Sequence, residues 1–343
     1  MSWKLSPKID GILKKGMDYA GISREEATEL MHLDLHSRET YALMQAANWM
    51  TREQFNSKGE NHFHIGVNVE PCPLNCSFCS LTEQAGIFTE KLEFPLEDVL
   101  EWARIGEENH ADALNIMTTG TYSFSRLLDV GKRLQKTVSV PLVVNTRDIT
   151  HKEGEQLLEA GFVGAYHAVR LGEGRDTPLK VEKRIQTIQV LKDVGLHWMN
   201  CVEPVGPEHS IEEIVDRMFL ARQYRATYSG VMRRINFPGS PMHKYGMITE
   251  LEMAKMVAVS RLVMGDVSRA HCTHEPHTAS LMAGANLFFP EVGSNPRDGA
   301  EQVQGGRGKS IQITQQIQRE MNLDPGLPSN CFQSRLRRDL RQV

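Results

Sequence analysis

The segment Glu70-Pro71-Cys72-Pro73-Leu74-Asn75-Cys76-Ser77-Phe78-Cys79-Ser80 decides how this chain is read. It sets three cysteines at i, i+4 and i+7 just after the apolar run 63–67, on a loop leaving a strand. Three soft thiolates that close together suit iron–sulfur or zinc chemistry. A structural zinc site closes with four ligands, usually in paired C-x-x-C knuckles, and Cys76 and Cys79 make a single such pair. A four-iron cluster normally takes four thiolates, so a loop that offers three leaves one iron for another ligand.

Outward from this loop, apolar segments alternate with amphipathic ones, the pattern of βα units on a parallel sheet. Strands are expected at 62–69, 113–117, 142–145, 164–169, 198–203, 230–235 and 269–273. Helices fit between them at 95–108, 123–134, 150–160, 181–194, 211–224 and 250–264. These predict an α/β chain built as a full or near-full (β/α) TIM-type barrel over residues 61–285. Residues 1–60 form a helical extension closing one end, with a capping box at Ser23-Arg24-Glu25-Glu26, and 286–343 form a C-terminal cap. Barrel chemistry sits at the C-terminal ends of the strands, which directs attention to those ends.

Composition narrows the function classes. With 24% charged residues and a net charge of −4, the chain has no electrostatic footprint for nucleic acid, and the locally basic stretch 335–341 fits a solvated helix end. No run of 18 apolar residues occurs and the first residues lack an apolar signal core, so neither membrane insertion nor export is expected. Six cysteines in 343 residues do not make a disulfide framework, and a cluster loop implies a reducing cytoplasm. The glycines at 305, 306 and 308 follow no strand, so they are taken as a plain loop rather than a phosphate cradle.

The C-x-x-x-C-x-x-C spacing, with Phe78 before the last cysteine and a strand before the loop, resembles the signature of the radical S-adenosylmethionine (SAM) enzymes. That resemblance implies a 4Fe-4S cluster on Cys72, Cys76 and Cys79, SAM bound to the remaining iron, and reductive cleavage to a 5′-deoxyadenosyl radical. It also implies an electron donor such as flavodoxin or ferredoxin. The turn Met117-Thr118-Thr119-Gly120 stands where the family receives the SAM amino group, and Val205-Gly206, with Phe78, where it lays adenine. Arg184, on a helix after the fourth strand, resembles the arginine that pairs with the SAM carboxylate in biotin synthase, the hydrogenase maturase and methylornithine synthase; a guanidinium fork suits that task. Glu173 matches a partner for ribose hydroxyls. Asn145 and Arg170 lie at strand ends, and alternation allows only one of His167 and Arg170 to face the lumen. The segment 235–241 resembles the N-x-x-P-x-x-G-T-P stretch after the sixth strand of these enzymes.

Biotin synthase holds a second, two-iron cluster with cysteines on successive strands, and here the strands at 113–117 and 142–145 carry none. That second cluster, and biotin as product, are poor expectations. The late strand end Arg269-Ala270-His271-Cys272-Thr273-His274-Glu275-Pro276-His277 is instead rich in ligating groups, with Cys272 and His274 on one side by alternation and His271, Thr273 and Glu275 on the other. Cys272, His274 and Cys201 are candidate catalytic residues and candidate holders of an auxiliary iron–sulfur cluster, and Cys331 could join only if the tail folds over the mouth. The expected reaction takes hydrogen from an unactivated C–H of a small or carrier-tethered substrate. Sulfur insertion is narrowly favoured over rearrangement or fragmentation of an amino-acid-like molecule, because Cys201, Cys272 and Cys331 are available to hold sulfur. A cluster-bearing scaffold or electron carrier is the rival from another class; it keeps the three loop cysteines but has no use for Arg184.

Overall fold

The computed structural model describes residues 4–293 and 309–332. The barrel strands are β1 (Glu60–Gly66), β2 (Ala113–Met117), β3 (Leu142–Asn145) and β4 (Phe162–Tyr166). They continue with β5 (His197–Met199 resuming as Val202–Val205), β6 (Ser229–Arg233), β7 (His271–Cys272) and β8 (Leu287–Phe288). Each pairs in parallel with the next, and β8 pairs with β1. The ring closes because β5 turns one edge to β4 and the other to β6; at its interruption Trp198 O accepts from Thr227 N and Tyr228 O from Asn200 N. Near-continuous apolar runs such as Leu142-Val143-Val144 suit strands covered on both faces.

Between the strands lie α4 (Leu96–Glu108), α5 (Phe124–Thr137), α6 (His151–Glu159), α7 (Val181–Asp193), α8 (Ile211–Gln223) and α9 (Glu250–Met264). Thr150, Ser210 and Thr249 open α6, α8 and α9 with reciprocal capping boxes to a glutamate three residues on. Each box satisfies two of the backbone N–H groups that a helix start leaves over. The expected box at Ser23 is present too.

The eighth strand was the element the sequence did not mark. Leu287–Phe288 lies just past the expected end of the barrel, in a stretch rich in Gly and Asn whose periodicity is weak. The helical extension, α1 (Pro7–Met17), α2 (Arg24–Met31) and α3 (Arg38–Gln54), packs along α8 and α9 on the flank rather than closing an end. The N-terminal end of the barrel is closed by the later chain: Gln318, on Ile311–Glu320, donates to Glu60 O and Asn286 O, and Cys331 and Phe332 join the lumen cluster. The glycines at 305, 306 and 308 and the basic stretch 335–341 lie outside the described residues.

Alternation divides each strand between lumen and helix layer. Ala113, Val143, Tyr166, Met199, Cys201, Tyr228, Cys272, Leu287 and Phe289 form the inner cluster, while Phe63, Ile65, Leu114, Ile116, Leu142 and Val144 pack outward under the helices. Side chains thus stack in layers up the barrel axis, and the upper layer meets the loop of three cysteines.

Candidate functional site

The cysteine loop is held from several sides. Cys72 N donates to Leu81 O (2.7 Å), Glu83 N to Cys72 O (3.2 Å) and Ser77 N to Asp176 O (2.8 Å). Ser240 Oγ, in the segment after β6, donates to Ser77 O (2.7 Å). Gly120 is a glycine for a local reason: a Cβ there would stand 2.6 Å from Leu74 Cδ1, inside the loop. The turn after β2 therefore touches the loop directly, with Cys72 Sγ 3.9 Å from that same point.

The three thiols feel one another. Burial pushes the Cys76 thiol up to about 11, with the Cys79 and Cys72 charges adding and Arg170 opposing. Cys72 is raised by burial, against the pull of the Leu74 and Gly120 amides. Three thiols on one loop are a donor set that leaves one iron of a four-iron cluster without a thiolate.

Above the lumen and beside this loop is a cavity of about 220 Å³. Phe78, Cys79, Met117, Asn145, Arg170 and His274, all expected site residues, line it. Of His167 and Arg170, the arginine faces in, as alternation requires. Its Nε lies 3.0 Å from Glu203 Oε1, and Tyr166 Oη donates to Glu203 Oε2 (2.6 Å). Burial works against the Arg170 charge, but Glu203 and Tyr166 outweigh it and hold the guanidinium protonated. Tyr166 is raised far above the ordinary phenol range by burial and by the neighbouring Glu203 carboxylate.

Other expected residues stand behind this lining. Arg184 is 4% exposed, and its guanidinium donates to Ala168 O (3.2 and 2.8 Å) and Asp148 Oδ1 (2.9 Å) and pairs with Glu173 Oε1 at 3.1 Å. The fork thus binds carboxylates, as that residue type suggests, but here they belong to the chain itself. Burial alone would raise Asp148; the His167 hydrogen bond and the Arg184 charge bring it down to about 2. Glu173 is raised by burial, against the two arginines. Thr119 is buried, its hydroxyl donating to Glu70, and Thr118 donates to Asn145 O, so both brace the turn. Val205 belongs to the core under α8 and α9; Gly206 follows it, and Pro204, Arg234 and Ile235 provide the wall at that height.

Cys201 and Cys272 lie one layer below the cavity, 1% and 0% exposed, with their sulfurs 2.7 Å apart. Both belong to the inner cluster of the barrel. Cys272 is raised far above the ordinary thiol range by burial and by the Cys201 contact. Cys331 sits at the closed end, likewise raised by burial, and does not reach the mouth.

Tyr166, expected on the same face as Arg170, lines the cavity with it, while sequence reasoning missed Glu203, His64, Phe289 and Glu291, which line it too. Counting by twos from Cys201 reaches Glu203, and from His62 reaches His64, so alternation carried that signal. Phe289 and Glu291 depend on the unrecognised eighth strand.

No family model matches the chain. Among curated proteins, biotin synthase of Clostridioides difficile (strain 630) is 22% identical over 257 residues, 72% of this chain and 78% of that protein. Biotin synthase of Geobacter sulfurreducens is 24% identical over 265 residues, 73% and 78% of the two chains. Among solved structures, methylornithine synthase superposes with a TM-score of 0.77 at 14% identity, covering 92% of this chain and 98% of that one. The hydrogenase maturase HydG from Carboxydothermus hydrogenoformans gives 0.75 at 14% identity, covering 92% and 78%. These structures share the fold. No described helix is long and apolar enough to cross a membrane. In sequence the chain is similar to biotin synthases and in fold to methylornithine synthase and HydG, and these likenesses, together with the cluster loop, support the radical SAM superfamily and its biotin synthase and hydrogenase maturase-like group.

Proposed function

We propose that this protein binds a 4Fe-4S cluster through Cys72, Cys76 and Cys79 and SAM beside it, and that it takes hydrogen from an unactivated C–H of a small polar substrate in the barrel cavity. The observation carrying this reading is the join of the three-thiol loop to a closed lumen lined by Phe78, Met117, Asn145 and Arg170. Cluster and SAM together supply the radical; the chain supplies position and exclusion of water. Phe78 lies against the cavity as an apolar wall, Met117 and Asn145 close the side nearest β2 and β3, and Arg170, fixed by Glu203, presents a cation toward the thiols. Arg184 and Glu173 act behind this wall by setting Ala168 and the Arg170 backbone in place.

Of the two expected continuations, rearrangement or fragmentation of the substrate is better supported than sulfur insertion. Cys201, Cys272 and Cys331 are sealed away from the cavity, and Cys272 and Cys331 are held protonated, which makes poor sulfur donors of them. Anaerobic incubation of the reconstituted protein with SAM and dithionite tests the reading. Formation of 5′-deoxyadenosine, abolished in Cys76→Ala, is expected; an intact cluster that yields none would leave only the scaffold or electron-carrier role.

A further inference from the structure

Three side chains on the far wall of the cavity converge without a part in the reading above. His64 is on β1, His274 follows β7, and Glu291 lies in the short strand Glu291–Val292 that pairs with β1. The parallel register sets Glu291 directly beside His64, locked by a hydrogen bond from His64 N to Pro290 O (2.8 Å), so both side chains leave the sheet on the lumen side. His274 stands two residues beyond Cys272 in the same inward column. One ligand atom from each of the three lies within 4.8 Å of the other two, and His274 Nε2 is 3.7 Å from Glu291 Oε1. Phe289 backs both imidazoles, with ring centroids 4.7 Å from His64 and 5.4 Å from His274. His64 is 5% exposed and His274 6%, yet all three line the cavity.

Two imidazoles and one carboxylate, with Phe289 behind and the cavity in front, are a three-member donor set for zinc or ferrous iron, which take four or more ligands. The other trio of this kind among the described residues, Glu60, His62 and Cys331, is fully buried at the closed end, away from the cavity. We propose that His64, His274 and Glu291 form a mononuclear site for a first-row divalent cation, its open positions turned to the substrate space. A cation there takes an oxygen or nitrogen of the substrate, which narrows the substrate to a small molecule bearing a carboxylate, hydroxyl or amine that can ligate metal. The substrate half of this inference rests on the radical reading; the metal half does not.

The test uses the full chain carrying its cluster, dialysed anaerobically against micromolar zinc, with zinc and iron counted and the zinc X-ray absorption edge recorded. About one zinc per chain is expected, in a nitrogen and oxygen shell near 2.0–2.2 Å. Its affinity should fall at least ~10-fold in His274→Ala and in the isosteric Glu291→Gln, with iron unchanged. Should His274→Ala not fold, Glu291→Gln carries the comparison alone. Zinc in a sulfur shell near 2.3 Å only, equal zinc in all variants, or no zinc overturns the proposal. Zinc bound as expected without 5′-deoxyadenosine formation sinks the radical reading alone, and 5′-deoxyadenosine without zinc sinks the metal site alone.

Discussion

Arg170 and Glu203 form a buried pair whose partners cannot be removed singly without cost. Arg170→Gln leaves the Glu203 carboxylate and Tyr166 hydroxyl facing each other without the cation. Breaking such a buried pair from one side costs about 3–5 kcal/mol of stability, and on the proposed function the lost cation, worth about 1.5–3 kcal/mol to a bound polar group, should weaken SAM or substrate binding by about 10-fold or more. Cluster iron should stay at the parent count, because Arg170 is not a ligand. Titration of SAM binding to the reconstituted variant checks this; unchanged affinity would show that Arg170 does not face a ligand. Arg184→Lys keeps the charge but loses the two-pronged grip on Ala168 O and Asp148. Its expected effect is on stability first, by about 1–3 kcal/mol, read as a lowered denaturant midpoint.

At the scale of elements, the barrel depends on close approach between β6 and β7. Gly230 faces Cys272 in the register, and a methyl at Gly230 would fall within the van der Waals radius of the Cys272 carbonyl. Gly230→Ala should therefore destabilise the fold by about 3 kcal/mol, as overpacking against backbone does, measured by urea unfolding. Losing the cap in Thr249→Ala should cost about 1 kcal/mol in the same assay. Seven of the barrel strands, their helices and the Ser23 cap were legible in the sequence because long runs show their period. The inward face of β7 was legible too, since Cys272 and His274 do share it. What could not be read was where long side chains end. Arg184 is placed on its helix by sequence, but whether its guanidinium meets a ligand or Asp148 and Glu173 depends on loops that pattern does not describe.

For the whole molecule, buried neutral histidines set the acid limit. His167 is lowered to about 4 by burial and the Arg184 charge, and His271 to about 3 by burial and Arg261. Unfolded, both titrate near 6.5, so between about pH 6.5 and 4 the unfolded chain binds more protons than the folded one. Stability is therefore lost as pH falls through that window, by a few kcal/mol in order of magnitude. Asp148, lowered to about 2, adds stability that is lost only below its unfolded value near 3.9. Unfolding midpoints of the cluster-free chain across this range should decline with acid, and His167→Gln should flatten the decline.

The stopper formed by Gln318, Cys331 and Phe332 has a bearing on traffic. Among the described residues, a tube corked at its base opens at the end where the cysteine loop stands. On the radical reading, anything that seats itself in the lumen passes that loop both on its way in and on its way out.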